Sequence, residues 1–213
     1  MNISTKKSYE IFSTLVLAIG FIYQILVVKE RVDTGEMTLF ASIFKTLSYM
    51  TIWTNLILFI TFALLTFNKI ERSNQSYFSA VLTYISIVCV IYHVALAKYW
   101  TPTGYLYITD KIFHTVSPAL YLIYWIAFTK KSPLEYSQSF KWLAYPAVYS
   151  TFFLCLGLIT HNYPYPIFNL DTLPFLTVLR NFTFTLITYI VFGVVIIGVN
   201  NLISNRLSSK ELA

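Results

Sequence analysis

The side chains that could carry chemistry stand out in this sequence because they interrupt long apolar segments. His93, His114 and His161 each fall near one end of such a segment, and Thr51 and Asn55 lie near the start of another. Polar and ionisable groups are costly in an apolar environment, so we treat them as candidates for a functional site. A hydroxyl beside a neutral imidazole would be an activated nucleophile, because the imidazole can take its proton.

The residues around His114 suggest how its imidazole is held. Asp110 precedes it by four residues, so on a helix the carboxylate would face the imidazole along one side. Pro118 follows His114 by four residues and has no N–H to bond the His114 carbonyl oxygen, which predicts a local opening of the helix. Asp110 could equally be the N-cap of this helix, with no role beside the imidazole.

The segment that carries Thr51 has further polar groups. Ser48, Thr51 and Asn55 are spaced three and four residues apart, which predicts one polar stripe on an otherwise apolar helix. An oxyanion formed during acyl transfer would need hydrogen-bond donors. The candidate donors are Asn55, Arg180, Asn181 and the backbone amides around Pro118. The other two histidines, His93 and His161, are candidates to line the pocket and hold a carboxylate.

Each of these side chains also has a purely structural interpretation. A histidine in a membrane helix is more often a hydrogen-bonded interior group than a catalyst. A lone threonine commonly bonds a carbonyl oxygen one turn back or joins two helices. The charged end of Arg180 could extend to the membrane surface or form an ion pair. The residues by themselves therefore indicate a polar pocket without deciding its chemistry.

The composition indicates that these groups belong to a membrane protein. The chain has 213 residues, of which 57% are hydrophobic and 11% charged, whereas soluble domains carry roughly 25% charged residues. Apolar segments recur that are long enough to cross a hydrocarbon core of about 30 Å. We predict an all-α, polytopic membrane protein in which residues 1–213 form one domain. Its six transmembrane helices are expected at residues 9–28, 39–67, 77–97, 111–128, 142–160 and 175–202.

The same composition argues against other classes of protein. The net charge is +6, but the 15 lysines and arginines are scattered, so we expect no nucleic-acid partner. Cys89 and Cys155 both fall inside predicted spans and show no metal-ligand spacing and no evident disulfide, and we expect no cofactor. The first apolar segment is too long for a signal peptide and lacks a small-residue cleavage site.

The distribution of lysine and arginine predicts the orientation in a cell membrane. With six spans, both termini share a side with the second and fourth connectors. That side holds nine basic residues, Lys6, Lys7, Lys69, Arg72, Lys130, Lys131, Lys141, Arg206 and Lys210. The other side holds Lys29, Arg31, Lys45, Lys98, Lys111 and Arg180. We therefore expect cytoplasmic termini, with the three histidines near the extracytoplasmic leaflet.

Three short segments carry a resemblance to a known family. Tyr49–Leu56 (YMTIWTNL) resembles the threonine-bearing segment of the androgen-induced-gene and ADTRP-like family. His114–Pro118 (HTVSP) resembles its histidine-bearing segment, in which a proline follows shortly. Tyr163–Phe168 (YPYPIF) resembles the element after its penultimate span. The three occur in the family's order over nearly the whole chain, and the likeness is greatest to its uncharacterised bacterial six-helix branch.

The resemblance implies an activity. The animal members of this family are integral-membrane hydrolases that cleave fatty acid esters of hydroxy fatty acids, with a threonine nucleophile assisted by a histidine. Carried onto this sequence, those roles fall on Thr51 and His114. The expected partner is then a membrane lipid or lipid ester, and the oligomeric state stays open.

Other hypotheses compatible with the residues remain at this point. His93, His114 and His161 could bind zinc, although their spacing does not favour it. A small transporter or proton relay could use the buried histidines, although the chain lacks an inverted repeat. A lipid-binding protein without catalytic activity would need only the fold.

Overall fold

The computed structural model describes residues 3–211, and over that range its regular secondary structure is all helical, with no β-strand. Two single π-helical turns, Tyr92–Leu96 and Ile112–Val116, and one 3₁₀ turn, Pro166–Phe168, interrupt or join the α-helices. The α-helices are α1 (Ile3–Asp33), α2 (Leu39–Leu47), α3 (Met50–Thr66), α4 (Gln75–Ile91), α5 (Gly104–Lys111), α6 (Ser117–Phe128), α7 (Gln138–Lys141), α8 (Ala144–Thr160) and α9 (Phe175–Glu211). The predicted all-α class is confirmed.

Membrane-spanning helices are recognisable by length and composition. Four segments of the described chain qualify, Ser4–Asp33, Gln75–Leu96, Gln138–Thr160 and Phe175–Ser209. The pair α2 and α3 qualifies only when taken together. The predicted fourth span at 111–128 lies in a continuous helical segment, 104–128, that is not among those that qualify. The described chain thus contains four or five helices long and apolar enough to cross a membrane, which is compatible with a multi-pass membrane protein.

The chain divides into two compact units, residues 1–130 and 131–213. The first unit contains α1 to α6, and the second contains α7 to α9. This division is based on contacts within the chain and does not test whether the two units form one domain. The single domain expected from the sequence therefore stays a prediction.

The first unit is a bundle in which successive long helices run in opposite directions. The start of α1 meets the end of α3 and the end of α6, because Lys7 bonds the Leu65 carbonyl oxygen and Lys6 bonds that of Phe128. The core between the helices is aromatic. Its largest fully buried side chains include Trp125, Tyr121, Tyr124, Phe62, Phe78 and Phe113.

The predicted second span is broken, which corrects one feature expected from the sequence. Helices α2 and α3 meet at an angle of 74°, because Tyr49 adopts an extended conformation between them. Ser48 ends α2 and donates to the Lys45 carbonyl oxygen. Ser48 is therefore not part of a single polar stripe with Thr51 and Asn55, and that prediction is wrong. Thr51 and Asn55 do share α3.

The helix that carries His114 begins earlier than expected. Helix α5 starts at Gly104, within the segment that we expected to be a loop, and continues through the second π-helical turn into α6. The preceding residue, Thr103, is extended, and Gly104 itself has a φ of +58°, which favours glycine. Asp110 is therefore inside a helix, and its alternative role as an N-cap is wrong.

In the second unit, asparagine side chains on α9 bind the segment that precedes α7. On α9, Asn200 donates to the Ser132 carbonyl oxygen at 2.8 Å. Asn201 makes two 2.8 Å hydrogen bonds with the main chain of Leu134, one as donor and one as acceptor. These bonds tie the segment before α7 to α9. Helix α9 continues nine residues beyond the predicted end of the sixth span at residue 202.

Candidate active site

Both histidines of the first unit lie on π-helical turns. His93 is in Tyr92–Leu96, at the end of α4, and His114 is in Ile112–Val116, between α5 and α6. Pro118 accounts for the second turn, since it cannot donate a hydrogen bond to the His114 carbonyl oxygen. Single π-helical turns occur frequently at functional sites because the extra residue redirects the side chains. The local opening expected beside His114 is present.

Thr51 and His114 meet across the bundle. Thr51 Oγ1, in the first turn of α3, lies 3.3 Å from His114 Nε2. The His114 side chain is 18% exposed, and Thr51 is half-buried, so the pair is sheltered while remaining accessible. A hydroxyl and an imidazole at this distance can form a hydrogen bond. The distance is slightly longer than the roughly 2.6–3.2 Å usual between a nucleophile and its general base, which is common when no substrate is bound.

The other imidazole nitrogen faces Asp110. His114 Nδ1 lies 3.1 Å from the Asp110 backbone oxygen, to which it can donate, and 3.2 Å from Oδ1 of the same residue. Only the bond to the backbone oxygen has hydrogen-bond geometry, so Oδ1 lies at ion-pair distance. A proton on Nδ1 satisfies this backbone acceptor and leaves the Nε2 lone pair directed at the Thr51 hydroxyl. The predicted arrangement of Asp110 beside His114 is observed.

Tyr92 completes this cluster, and sequence reasoning missed it. Its hydroxyl donates to Asp110 Oδ2 at 2.5 Å. Its ring stacks on the His114 ring, with centroids 4.0 Å apart and planes inclined by 10°. Tyr92 is one of 17 tyrosines and lies 18 residues before Asp110, so no spacing in the sequence links the two. Lys111 is nearby, with its Nζ 3.8 Å from Asp110 Oδ2.

Asn55 links the turn that carries Thr51 to the turn that carries His114. Its Nδ2 donates to the backbone oxygens of Thr51, at 2.9 Å, and Phe113, at 3.2 Å. Its Oδ1 accepts a hydrogen bond from Ser117 Oγ. A primary amide has two N–H donors, and both are used here. Asn55 is fully buried and therefore fits an orienting role, whereas its geometry does not fit an oxyanion donor.

His93 forms a second imidazole–hydroxyl pair. Its Nε2 lies 3.2 Å from Thr115 Oγ1, and its Nδ1 lies 2.9 Å from the Cys89 backbone oxygen. The His93 ring also contacts Tyr92 edge-on, with centroids 5.0 Å apart. His93 and Thr115 are both exposed, unlike the Thr51–His114 pair. Tyr92 thus contacts both imidazoles.

The remaining candidates belong to the second unit. His161 ends α8 in a left-handed conformation, with φ of 55°, and its Nδ1 lies 3.1 Å from the Asp171 carboxylate. Asn181, on α9, donates to the Ile167 carbonyl oxygen at 2.8 Å. Arg180, also on α9, is exposed. The convergence of these three residues with His114 stays a prediction.

The polar side chains of the first unit are oriented so that a proton could pass between them. Over residues 3–211, no three or more His, Cys, Asp or Glu side chains are grouped so as to hold a metal ion, so the three-histidine zinc hypothesis has no ligand set there. Thr51, His114 and Asp110 instead lie in a row, hydroxyl beside imidazole beside carboxylate, as a nucleophile, a base and an orienting carboxylate would. That order can support acyl transfer.

Comparison with known proteins leaves the family open. No protein-family model, no curated protein and no solved structure matches this chain. The resemblance to the androgen-induced-gene and ADTRP-like family therefore stays a prediction that rests on the three short segments.

Proposed function

We propose that this protein is an intramembrane lipid-ester hydrolase in which Thr51 is the nucleophile and His114 is the general base. The observation that carries the proposal is the 3.3 Å distance between Thr51 Oγ1 and His114 Nε2. His114 Nδ1 is engaged by Asp110 at the same time. A threonine hydroxyl is a weak nucleophile until a neighbouring base takes its proton, and this pair supplies such a base.

The reaction follows from these positions. Thr51 Oγ1 attacks the ester carbonyl carbon while His114 Nε2 takes the hydroxyl proton. The tetrahedral intermediate collapses to an acyl-threonine, and the imidazolium returns the proton to the departing alcohol. Water, deprotonated by His114 in turn, then releases the fatty acid and restores the threonine hydroxyl. Asp110 favours the imidazolium in both steps because its carboxylate is close to Nδ1.

The membrane setting supports a lipid substrate. We propose six spans, with the bent pair of α2 and α3 as the second and the segment 104–128 as the fourth. The Thr51–His114 pair lies at the end of the first unit opposite to Lys6 and Lys7, which are at the expected cytoplasmic side. The site would then lie at headgroup depth in the extracytoplasmic leaflet. A fatty acid ester of a hydroxy fatty acid could bring its ester group to the site from the bilayer.

Active-site labelling tests the proposal. The purified protein is treated with a fluorophosphonate probe, and hydrolysis of a panel of lipid esters is measured in detergent. We expect Thr51→Ala to lose both labelling and hydrolysis, Thr51→Ser to keep both in part, and His114→Ala to lose labelling. The matched control is Thr188→Ala, whose exposed hydroxyl donates only to the Phe184 carbonyl oxygen one turn back.

The controls also separate the proposal from its rivals. Full hydrolysis by Thr51→Ala would exclude Thr51 as the nucleophile, and undiminished labelling of His114→Ala would exclude His114 as the base. A wild-type protein that binds lipid esters without turnover or labelling would be a lipid-binding protein.

A proton relay is the second candidate function, because Tyr92 contacts both His93 and His114. Imidazoles in membrane helices can mark ion pathways. Proton flux in liposomes that Tyr92→Phe abolishes, together with no ester hydrolysis, would favour it.

A further inference from the structure

Tyr92 contacts both members of the pair that orients the proposed nucleophile. Its hydroxyl bonds Asp110 Oδ2, and its ring covers one face of His114. Tyr92 is 4% exposed and Asp110 is 3% exposed, so neither group is held by bulk water. One rigid side chain therefore controls two separate degrees of freedom, the rotation of the carboxylate and the plane of the imidazole.

The carboxylate needs this contact in order to be in place. Asp110 Oδ1 is buried and faces His114 Nδ1 without a directed hydrogen bond. Oδ2 has the directed bond from Tyr92 and a longer ion pair with Lys111. A hydrogen bond between a hydroxyl and a carboxylate is short and strong when it is shielded from water. The Tyr92 bond thus fixes the rotation of the carboxylate that turns its other oxygen toward the imidazole.

The ring contact restricts the imidazole itself. Parallel rings 4.0 Å apart leave no room for the His114 ring to tilt toward Tyr92. A tilt would move Nε2 away from Thr51 Oγ1, and their separation of 3.3 Å is already at the upper end for a hydrogen bond. The stacked ring therefore keeps His114 Nε2 within hydrogen-bond distance of Thr51 Oγ1, as proton transfer requires.

We propose that Tyr92 is a positioning residue for the Thr51–His114 pair, holding the Asp110 carboxylate with its hydroxyl and the His114 plane with its ring. This inference rests on the proposed hydrolase function. Tyr92 acts through Asp110 and His114, both of which it contacts. Its removal should lower kcat and leave KM nearly unchanged, because substrate binding does not involve it.

The chain contains a matched control at the other end of the same bundle. Tyr124 is fully buried, and its hydroxyl donates to a buried carboxylate oxygen, Glu10 Oε1, at 3.0 Å. Tyr124→Phe therefore removes the same kind of hydrogen bond as Tyr92→Phe, without an imidazole beside it. Both variants lose the same hydroxyl group. A difference in kcat between them would therefore be due to the position of Tyr92 beside His114.

The experiment compares wild type, Tyr92→Phe and Tyr124→Phe in detergent. We expect Tyr92→Phe to lower kcat about tenfold or more, as for a lost hydrogen bond to a charged group, with KM changed less than about twofold. Tyr124→Phe should keep the wild-type kcat while losing a similar amount of thermal stability. In an Asp110→Ala background, Tyr92→Phe should cause no further fall in kcat, because the hydroxyl then has no carboxylate to hold.

A spectroscopic measurement gives a readout that does not depend on turnover. In wild type labelled with ¹⁵N-histidine, we expect His114 to carry its proton on Nδ1, bonded to the Asp110 backbone oxygen, and we expect Tyr92→Phe to shift the Nδ1 resonance because the carboxylate beside it is no longer held. A wild-type His114 protonated on Nε2 would overturn the inference even if Tyr92→Phe does not fold.

The outcomes separate the two proposals. An active wild type with an equally active Tyr92→Phe, or an equal loss of kcat in Tyr124→Phe, overturns the role of Tyr92 and leaves the hydrolase proposal standing. A wild type without turnover or labelling of Thr51 overturns the hydrolase proposal, and the role of Tyr92 falls with it.

Discussion

The side-chain amide of Asn55 donates a 3.2 Å hydrogen bond to the backbone oxygen of Phe113, the residue before His114. The same nitrogen holds the backbone oxygen of Thr51 at 2.9 Å. One buried side chain therefore bonds the two main-chain segments that carry the proposed nucleophile and the proposed base. The distance between Thr51 and His114 depends on this link as well as on their own side chains.

Asn55→Ala should weaken both the fold and the site. The change removes one buried hydrogen bond to the Phe113 oxygen and another from Ser117 Oγ, which then keep their 3.4 Å bond to each other, so we expect a cost of about 1–3 kcal/mol in all. We expect a lower midpoint of chemical unfolding in mixed micelles and slower probe labelling of Thr51. Asn200→Ala, which removes another fully buried amide and its hydrogen bond to the Ser132 oxygen, should not slow labelling. Equal labelling rates for Asn55→Ala and wild type would contradict the bracing role.

Gly20→Ala should disturb the site from the side of α1. A Cβ at Gly20 would lie 2.6 Å from Phe113 Cε1 and 2.8 Å from Ile112 Cγ2, so the turn before His114 must shift. Overpacking of this kind costs about 1–3 kcal/mol, measurable as a lower unfolding midpoint. Gly198→Ala is the control, because its nearest atom outside the helix backbone, Tyr136 Oη, would be 3.7 Å away. A Gly20→Ala protein as stable as Gly198→Ala would show that Phe113 has room to move.

Glu10→Gln tests the buried ion pair at the opposite end of the first unit. Arg72 donates to both carboxylate oxygens of Glu10, at 3.1 and 3.0 Å, and Tyr124 donates to one of them. Glu10 is fully buried, whereas the Arg72 side chain is 32% exposed and also bonds the Leu65 and Asn68 oxygens. Glu10→Gln should therefore cost less than about 3–5 kcal/mol, the loss when a fully buried charge is left unpaired.

The exposed pair of Lys29 and Asp33 supplies the control for Glu10→Gln. Asp33→Asn should leave the unfolding midpoint nearly unchanged, since exposed ion pairs contribute little. We expect labelling of Thr51 to persist in every Glu10→Gln molecule that remains folded. Similar midpoints for the two variants would mean that the Glu10–Arg72 pair does not stabilise the bundle.

Lys131, between α6 and α7, should titrate near neutral pH. Burial lowers the pKa of its ammonium group to about 8. The unfolded chain then binds more protons than the folded chain between about pH 8 and the ordinary lysine value of about 10.4, so the free energy of unfolding should rise with pH across that window. Reductive ¹³C-methylation followed by NMR should show a midpoint near 8 for the resonance that Lys131→Arg removes. A midpoint near the ordinary value would contradict the burial of this amine.

The sequence alone determined the helical class and the approximate positions of most long helices. Long apolar segments with few charges are stable in a bilayer only as helices, because the backbone must satisfy its own hydrogen bonds. Local spacing also predicted that Asp110 would face His114, since residues four apart share one side of a helix. The opening of the helix beside His114 followed from Pro118, which lacks the N–H that a regular turn requires.

The tertiary structure decided what local spacing could not. The break at Tyr49 and the early start of α5 at Gly104 depend on how the helices pack, and helix propensity alone allows longer or shorter segments. Tyr92 joined the site because the end of α4 packs beside the turn that carries His114, and no sequence interval encodes contact between separate helices. The bond from Asn55 to the Phe113 oxygen likewise exists only once α3 and the turn at Phe113 come together, and such contacts determine which polar side chains support the site.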